Sequence, residues 1–282
     1  MALKEREADA SAAMPLTEHL RELRSRLVKS GIAIGLGMVV GWIYYDQLFT
    51  WLSAPFEGAV EAAREQGRDV TLALTGVADP FVLQMQIAAI AGVVLSSPIW
   101  LYQLWRFVTP GLHKNEKRWA IGFVAVATPL FLAGVVMAYM VLPLGLQVLL
   151  GFTPENVENI VSVDRYLSFF IRTVIVFGVG FLLPLVLVLL NFAGVLSGQR
   201  LLGWWRWIIL IVIIFAAVAT PTGDPINLLL LAGPILLLVA MAVGIALLND
   251  RRRARKRRRA GDIDYSEYAD DEISPLEPPQ GE

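Results

Sequence analysis

Two isolated carboxylates within basic segments are the residues of this chain whose types and positions best suit binding of a charged ligand. Glu22 lies between Arg21 and Arg24, and Glu116 directly precedes Lys117 in a second basic segment. One role for each acid is local ion pairing, which contributes little when the pair is exposed. The other is to receive a guanidinium of a ligand in a fork geometry that an ammonium group does not match. Residue types alone leave both roles open.

The sequence contains few residues that could form a metal site, a phosphate-binding site or a catalytic site. The chain has no cysteine, which excludes disulfides, thiolate metal sites and thiol nucleophiles. His19 and His113 are far apart and belong to no ligand-spaced cluster. No glycine-rich phosphate loop and no Ser/His/Asp set is visible. We therefore expect no metal, no cofactor and no catalysis on a covalent bond.

Six long apolar runs determine the class of structure that must position these acids. Hydrophobic residues make up 56% of the 282 residues and charged residues only 17%, unlike a soluble domain. A helix needs roughly 20 apolar residues to cross the hydrocarbon core, and a spanning run without water to solvate its backbone must be helical. The runs centre on Ile34, Ala89, Leu130, Phe177, Ile211 and Leu236. The sequence thus predicts an all-α integral membrane protein with six transmembrane helices.

The basic residues predict its orientation. Twenty of the 24 Lys and Arg residues fall on one side of the predicted spans. They include the block 251–259, which acidic residues 262–282 offset in the formal net charge of −1. Because cytoplasmic loops carry the excess of Lys and Arg, both termini are expected in the cytoplasm.

The predicted organisation is one membrane domain between two charged termini. Residues 1–15 are expected to be flexible, 16–249 to form the membrane domain, and 250–282 to be a disordered cytoplasmic tail. Residues 16–27 suggest an amphipathic helix lying along the membrane surface. Prolines favour kinks, and kinked helices can bow into a concave bundle. The predicted spans are about 27–45, 80–104, 119–142, 164–191, 203–219 and 225–248, with prolines at Pro98, Pro129, Pro184 and Pro234.

Several ordered motifs give the chain a family resemblance. Residues 97–112 (SPIWLYQLWRFVTPGL), followed by Glu116, are the most specific. The others are 19–27 (HLRELRSRL), 53–55 (SAP), 79–81 (DPF), 138–139 (AY), 166–169 (YLSF), 177–181 (FGVGF), and 220–221 (TP) with Asp224. In this order and spacing the chain resembles TatC, the multi-spanning receptor subunit of the twin-arginine protein translocase, over about residues 16–248.

The resemblance implies a function. TatC proteins of the bacterial cytoplasmic membrane bind signal peptides with consecutive arginines. With small single-span subunits of the TatA and TatB type, they export folded proteins by using the proton-motive force. The resemblance implies self-association in a receptor complex as well. By motif, Glu22 and Glu116 would contact the arginine pair, and Arg24 and Phe107 would shape the same surface. Pro55, Tyr139 and Asp224 match family positions that are important on or near the outer side.

Two positions depart from the family. Leu182 stands where many members carry an acid in the fourth span, and Ala240 where some carry a glutamate in the sixth. A role of that acid in docking a partner is therefore in question here. Arg172 lies about ten residues earlier in the fourth span. It either extends outward along its alkyl stem or accepts a polar or acidic group of a partner.

A small-solute transporter and a structural scaffold are the alternative functions for this chain. A kinked polytopic bundle also suits a small-solute secondary transporter, but polar residues within the spans are few: Gln84, Gln86 and Asn191. A structural scaffold would need neither Glu22 nor Glu116. The basic block 251–259 suits contact with anionic lipids, and its position next to the membrane argues against nucleic-acid binding.

Overall fold

The structure is a computed structural model that describes residues 16–65, 67–108, 116–154, 157–219 and 225–259. Most of these residues are helical, and two short strands accompany the helices. In chain order the elements are α1 Leu16–Ile43, α2 Tyr45–Arg64, β1 Val70–Ala73, α3 Asp79–Leu95, α4 Ser97–Val108, α5 Glu116–Gly151, β2 Asn159–Ser162, α6 Val163–Phe192, α7 Gly198–Gly203, α8 Trp205–Ala219 and α9 Pro225–Arg259.

Four of the described helices, α1, α5, α6 and α9, are long and apolar enough to cross a membrane. Helices α3 and α4 together make a fifth candidate, as one span bent by 61°. Helix α8 is apolar but has only 15 residues. Of the prediction of an all-α protein with six spans, the mainly helical fold with four to five apolar spans is confirmed among the described residues. The count of six stays a prediction.

The bend between α3 and α4 occurs at Ser96, just before the proline at which the sequence predicted a kink. Pro98 has no N–H to donate to the carbonyl of Val94, so the α-helical ladder is interrupted there. The N–H groups of Ile99 and Trp100 both donate to the carbonyl of Ser96, at 2.9 and 3.1 Å. The other prolines of the predicted kinks lie inside the continuous helices α5, α6 and α9.

Three helices are longer than the sequence predicted. Residues 16–27 belong to α1 and are not a separate surface helix, because the segment contains no glycine or proline that would end the helix before the apolar run. Helix α5 continues past Pro143 to Gly151, since Leu146 and Leu150 are buried in the core. Helix α9 continues through the basic block to Arg259, because arginine and alanine are strong helix formers and an existing helix propagates easily.

Close backbone contacts determine how the long helices pair. A Cβ on Gly37 of α1 would lie 2.9 Å from the Cα and the carbonyl oxygen of Gly92 of α3. Gly41 likewise meets Ala88 and Ala91, so α1 and α3 are antiparallel. Small residues allow such approach between membrane helices.

A second group of helices packs around α6. Gly134 of α5 approaches the backbone of Phe177 and Gly178, and Tyr139 of α5 contacts Phe170 edge-on, so α5 and α6 are antiparallel. Helix α9 runs parallel to α6, with the fully buried Ile235 against Gly180. Leu231, Ile235 and Phe177 belong to the largest apolar core.

A two-stranded parallel sheet joins the two long connections at one end of the bundle. Strand β1 pairs with β2 in the register Val70 to Asn159 through Ala73 to Ser162. The prediction of an all-α protein missed this sheet. We call this end of the bundle the sheet end, because α3 and α6 both begin there, directly after the strands. The start of α1 and the ends of α4, α6 and α9 lie at the opposite end, which we call the basic end.

Candidate functional site

Glu22 lies in the first part of α1, at the basic end, and is half-buried. Arg26, one turn further along the helix, donates hydrogen bonds to its Oε1 through Nε, at 3.1 Å, and through a terminal guanidinium nitrogen. This is the local ion pair that the sequence offered as one role of Glu22. Arg26 is itself only 8% exposed, so the pair is better shielded from water than a surface pair.

The second carboxylate oxygen of Glu22 distinguishes this acid from an ordinary surface glutamate. Oε2 is buried and accepts no hydrogen bond from the part of the chain that the structure describes. A carboxylate has about four acceptor positions on its two oxygens, and a buried acceptor without a donor costs about 1–3 kcal/mol. Glu22 therefore has an unsatisfied acceptor, which a cationic donor can reach once the side chains that cover it move aside.

The other predicted residues of this surface belong to neighbouring helices. Arg24 is exposed on α1, and Phe107 is half-buried in the last turn of α4. Glu116 is the first residue of α5, and its side chain lies outside the described residues. Helix α4 packs against both α1 and α5, so the helix of Phe107 contacts the helices that carry both acids.

Aromatic contacts hold α4 against α5. The rings of Trp105 and Phe123 stack with centroids 4.3 Å apart. Trp100 meets Phe131 edge-on at 5.3 Å, and Leu101 between the two tryptophans is fully buried. The tryptophan-rich motif thus fixes the helix that leads to the second basic segment.

Pro55 and Tyr139, both predicted from family motifs, act together at the sheet end. Pro55 lies inside α2 and has no N–H, so the carbonyl of Trp51 loses its usual helical donor. The hydroxyl of Tyr139 on α5 donates to this carbonyl at 3.1 Å. Tyr166 on α6 donates to the next carbonyl, that of Leu52, at 2.5 Å. Two tyrosines thus tie α2 to α5 and α6.

Asp224 and Arg172 are the remaining residues that the sequence singled out. Asp224 lies outside the described residues. Arg172 is exposed on α6 and takes part in no ion pair among the described residues. Together with Gln86 of α3 it lines a cavity of about 310 Å³ between α3 and α6.

Two features near these sites were not predicted from the sequence. Tyr166 lies in one of the family motifs, and its role was detectable in principle, because an aromatic hydroxyl in an apolar segment signals a hydrogen bond. Asn191, 1% exposed, donates to the carbonyl of Leu196 and to Asp250 Oδ1, both at 2.9 Å. It also accepts a hydrogen bond from Asn249 at 2.9 Å. This network fastens the end of α6 to α9.

Leu182, the first of the two departures from the expected motif pattern, occupies an apolar environment. It packs against the cluster that contains Leu101, Phe123 and Phe131. An ionised carboxylate would lose its hydration there. Ala240, the second departure, is exposed on α9.

The apolar helices define a multi-pass helical membrane protein, and comparison with known proteins identifies its family. A family model described as "Sec-independent protein translocase protein (TatC)" matches residues 18–234. The TatC of Frankia casuarinae is 43% identical over 270 residues, which cover 94% of this chain and 73% of that protein. The TatC of Xylanimonas cellulosilytica is 42% identical over 243 residues, which cover 86% of this chain and 87% of that protein.

A solved structure agrees with the sequence relatives. The crystal structure of the twin-arginine translocase receptor TatC in DDM superposes with a TM-score of 0.67 at 33% identity. The match covers 81% of this chain and 99% of that chain. The chain therefore belongs to the TatC family, as its motifs indicated. It is a core subunit of the twin-arginine protein translocase and not a small-solute transporter.

Proposed function

We propose that this chain is the receptor for twin-arginine signal peptides in a bacterial cytoplasmic membrane. In this proposal Glu22 and Glu116 bind the guanidinium groups of the consecutive arginines, and Arg24 and Phe107 shape the surface around them. The peptide's apolar stretch then enters a concave bundle of six spans, several of them kinked at prolines. Export of the folded cargo uses the proton-motive force and involves no covalent catalysis.

The observation that carries the proposal is the free oxygen of Glu22. Arg26 occupies Oε1 and limits the movement of the carboxylate, while Oε2 is shielded from water and lacks a donor among the described residues. A guanidinium that donates to Oε2 regains the hydrogen bond without first displacing much water. Charge-assisted hydrogen bonds contribute about 1.5–3 kcal/mol each.

The membrane orientation and the partners belong to the same proposal. The positive-inside tendency supports a cytoplasmic basic end, with both termini on that side and the sheet end outside. Single-span subunits of the TatA and TatB type would assemble with this chain, and copies of it would associate in the receptor complex. Arg251, Arg252 and Arg255 are exposed on the extension of α9, which suits contact with anionic lipids.

Site-specific crosslinking tests the acid-based recognition. A photoreactive residue at the exposed Leu104 of α4 would be used to capture a signal peptide that carries either Arg-Arg or Lys-Lys. We expect strong capture of Arg-Arg and weak capture of Lys-Lys, because lysine lacks the planar fork. Glu22→Gln should weaken capture of Arg-Arg by about 10- to 100-fold, and Glu116→Lys should abolish it.

Glu18→Gln provides the matched control, since Glu18 is an exposed acid one turn before Glu22 on the same helix. Its removal changes the net charge equally and should leave capture nearly unchanged. Equal capture of both peptides, or equal effects of Glu18→Gln and Glu22→Gln, would show that general electrostatic attraction is sufficient and that the acids recognise no arginine pair.

A further inference from the structure

A narrow groove between α3 and α6 carries polar groups that take no part in the proposed recognition of signal peptides. We call it the α3–α6 groove. Its cavity has a volume of about 310 Å³. The lining residues are Gln86, Ala89, Ile90, Val93, Ser168, Ile171, Arg172 and Ile175.

The polar and apolar residues of the groove are separated along its length. Helices α3 and α6 both start at the sheet end, so higher residue numbers lie deeper on each helix. Ser168, Gln86 and Arg172 therefore lie toward the sheet end, and Val93 and Ile175 lie farther in. The groove thus has one polar end and one apolar end, as an amphiphilic ligand requires.

Two of the three polar side chains at this end, those of Gln86 and Arg172, lack partners among the described residues. Gln86 Oε1 is buried and accepts no hydrogen bond from the described residues. Arg172 belongs to neither of the ion pairs found among those residues. A ligand that suits both groups must offer an anionic oxygen to Arg172 and a hydrogen-bond donor to Gln86.

The depth of Arg172 matches a lipid headgroup. Arg172 follows Val163 by nine residues, which places its Cα about 14 Å along α6. The 30 residues of α6 extend about 45 Å, roughly 7 Å beyond a 30 Å hydrocarbon core at each end if the helix is centred. The Cα of Arg172 then lies about 6 Å inside the core. By extending outward its guanidinium reaches the boundary of the core, where a headgroup phosphate can meet it.

The size of the groove favours a lipid over a partner helix. A helix is about 10–12 Å across with its side chains, so a 10 Å length of it fills roughly 800 Å³. That is more than twice the volume of the cavity. An extended acyl chain is far thinner and carries no polar group that would meet Ile90, Val93 and Ile175.

We propose that the α3–α6 groove is a binding site for one phospholipid. Its phosphate contacts Arg172, a hydroxyl or ammonium of its headgroup donates to Gln86, and an acyl chain lies along the apolar end. The bound lipid thereby supplies the counter-charge that Arg172 lacks within the described chain. This binding does not depend on recognition of signal peptides by the acids at the basic end.

Native mass spectrometry of the purified, delipidated full chain tests the proposal. The probes are dioleoylphosphatidylglycerol and dioleoylglycerol, which share their acyl chains but differ in the phosphate. We expect one molecule of the phospholipid to bind first and most tightly, with dioleoylglycerol at least about tenfold weaker. Arg172→Gln should remove this preference, and Arg172→Lys should retain part of it because the charge remains.

Two further variants separate the site from general attraction and from misfolding. Arg165→Gln removes an exposed cation near the start of the same helix and should leave tight binding unchanged. Ala89→Phe should obstruct the apolar end and weaken binding while Arg172 remains in place. A variant that has unfolded is recognised by the loss of its thermal transition. When Arg172→Lys and Ala89→Phe keep this transition, their lipid binding decides whether the groove is the site.

Three results would overturn the proposal. One is equal binding of the two lipids by the unaltered chain, and another is an equal loss of phospholipid in Arg165→Gln and Arg172→Gln. The third is unchanged phospholipid binding in Arg172→Gln, whose meaning is sharpened if a co-purified single-span subunit is lost from the same variant. That loss would assign the groove to a partner helix.

Discussion

The hydrogen bond between Tyr139 and the carbonyl of Trp51 should depend on the proline that frees this carbonyl. We compare Tyr139→Phe, Pro55→Ala and the double variant. In the original chain Tyr139→Phe removes the side-chain donor to Trp51 O. With alanine at position 55, the new N–H can donate to the same oxygen within α2, so the tyrosine hydroxyl becomes dispensable.

The size of the effect follows from the geometry. The bond is 3.1 Å long, and Tyr139 is 39% exposed, so water can replace part of the lost interaction. A net hydrogen bond contributes about 0.5–1.5 kcal/mol, and we expect about 1 kcal/mol for Tyr139→Phe. That corresponds to a fall of about 2–4 °C in the thermal midpoint of a chain of this size. In the Pro55→Ala background the fall should be close to zero, a coupling of about 1 kcal/mol.

The assay is the thermal unfolding midpoint of the purified protein in one detergent, followed by tryptophan fluorescence. Tyr44→Phe is the matched control, because Tyr44 is 56% exposed and its hydroxyl makes no hydrogen bond between helices in the part of the chain that the structure describes. Its midpoint should equal that of the original chain. If Tyr139→Phe lowers the midpoint equally with proline and with alanine at position 55, the proposed link between the two residues is wrong.

Further predictions concern the packing of the spans, with the same thermal midpoint as the measurement. Gly37→Ala places a Cβ against the backbone of α3 and should cost about 1–3 kcal/mol, whereas Gly35→Ala, which meets no atom within 4 Å, should cost nothing. Asn191→Leu breaks the network that joins α6 to α9 and should cost about 1–3 kcal/mol by leaving buried polar groups unpaired; an unchanged midpoint would show that water replaces it. Trp100→Phe removes the 2.9 Å bond from Nε1 to the carbonyl of Val93 across the bend. It should cost about 0.5–1.5 kcal/mol, and a larger cost would mean that packing dominates.

The sequence pattern predicted the long helices, which depend on local composition. It did not predict the contacts between segments that are far apart in the chain. The apolar runs predicted the long helices, because a segment that spans the membrane has to pair its backbone N–H and C=O groups within itself. The sheet escaped prediction since each strand has only four residues, and no local pattern in Val70–Ala73 specifies pairing with Asn159–Ser162. The extension of α9 was missed because charge density suggested disorder, while helix propensity favoured continuation.

The sequence predicted which residues form the candidate site, but not how their side chains are packed and hydrogen-bonded. The spacing of Glu22 and Arg26 by four residues already indicates a pair on one helix face. The burial of Oε2 and its missing donor depend on packing around α1, which spacing does not reveal. Likewise, Pro55 and Tyr139 both match family motifs, but only the structure connects the Trp51 carbonyl that Pro55 frees to the hydroxyl of Tyr139.

The strand pair at the sheet end has a mechanical consequence for the bundle. Four paired residues on each strand tie the entrance of α3 to the entrance of α6, whereas the α3–α6 groove separates the two helices farther in. If α3 and α6 move apart, their first residues therefore stay together at the paired strands, and the two helices rotate about this end. The widest excursion would then occur at the far ends of α3 and α6, toward the basic end of the bundle.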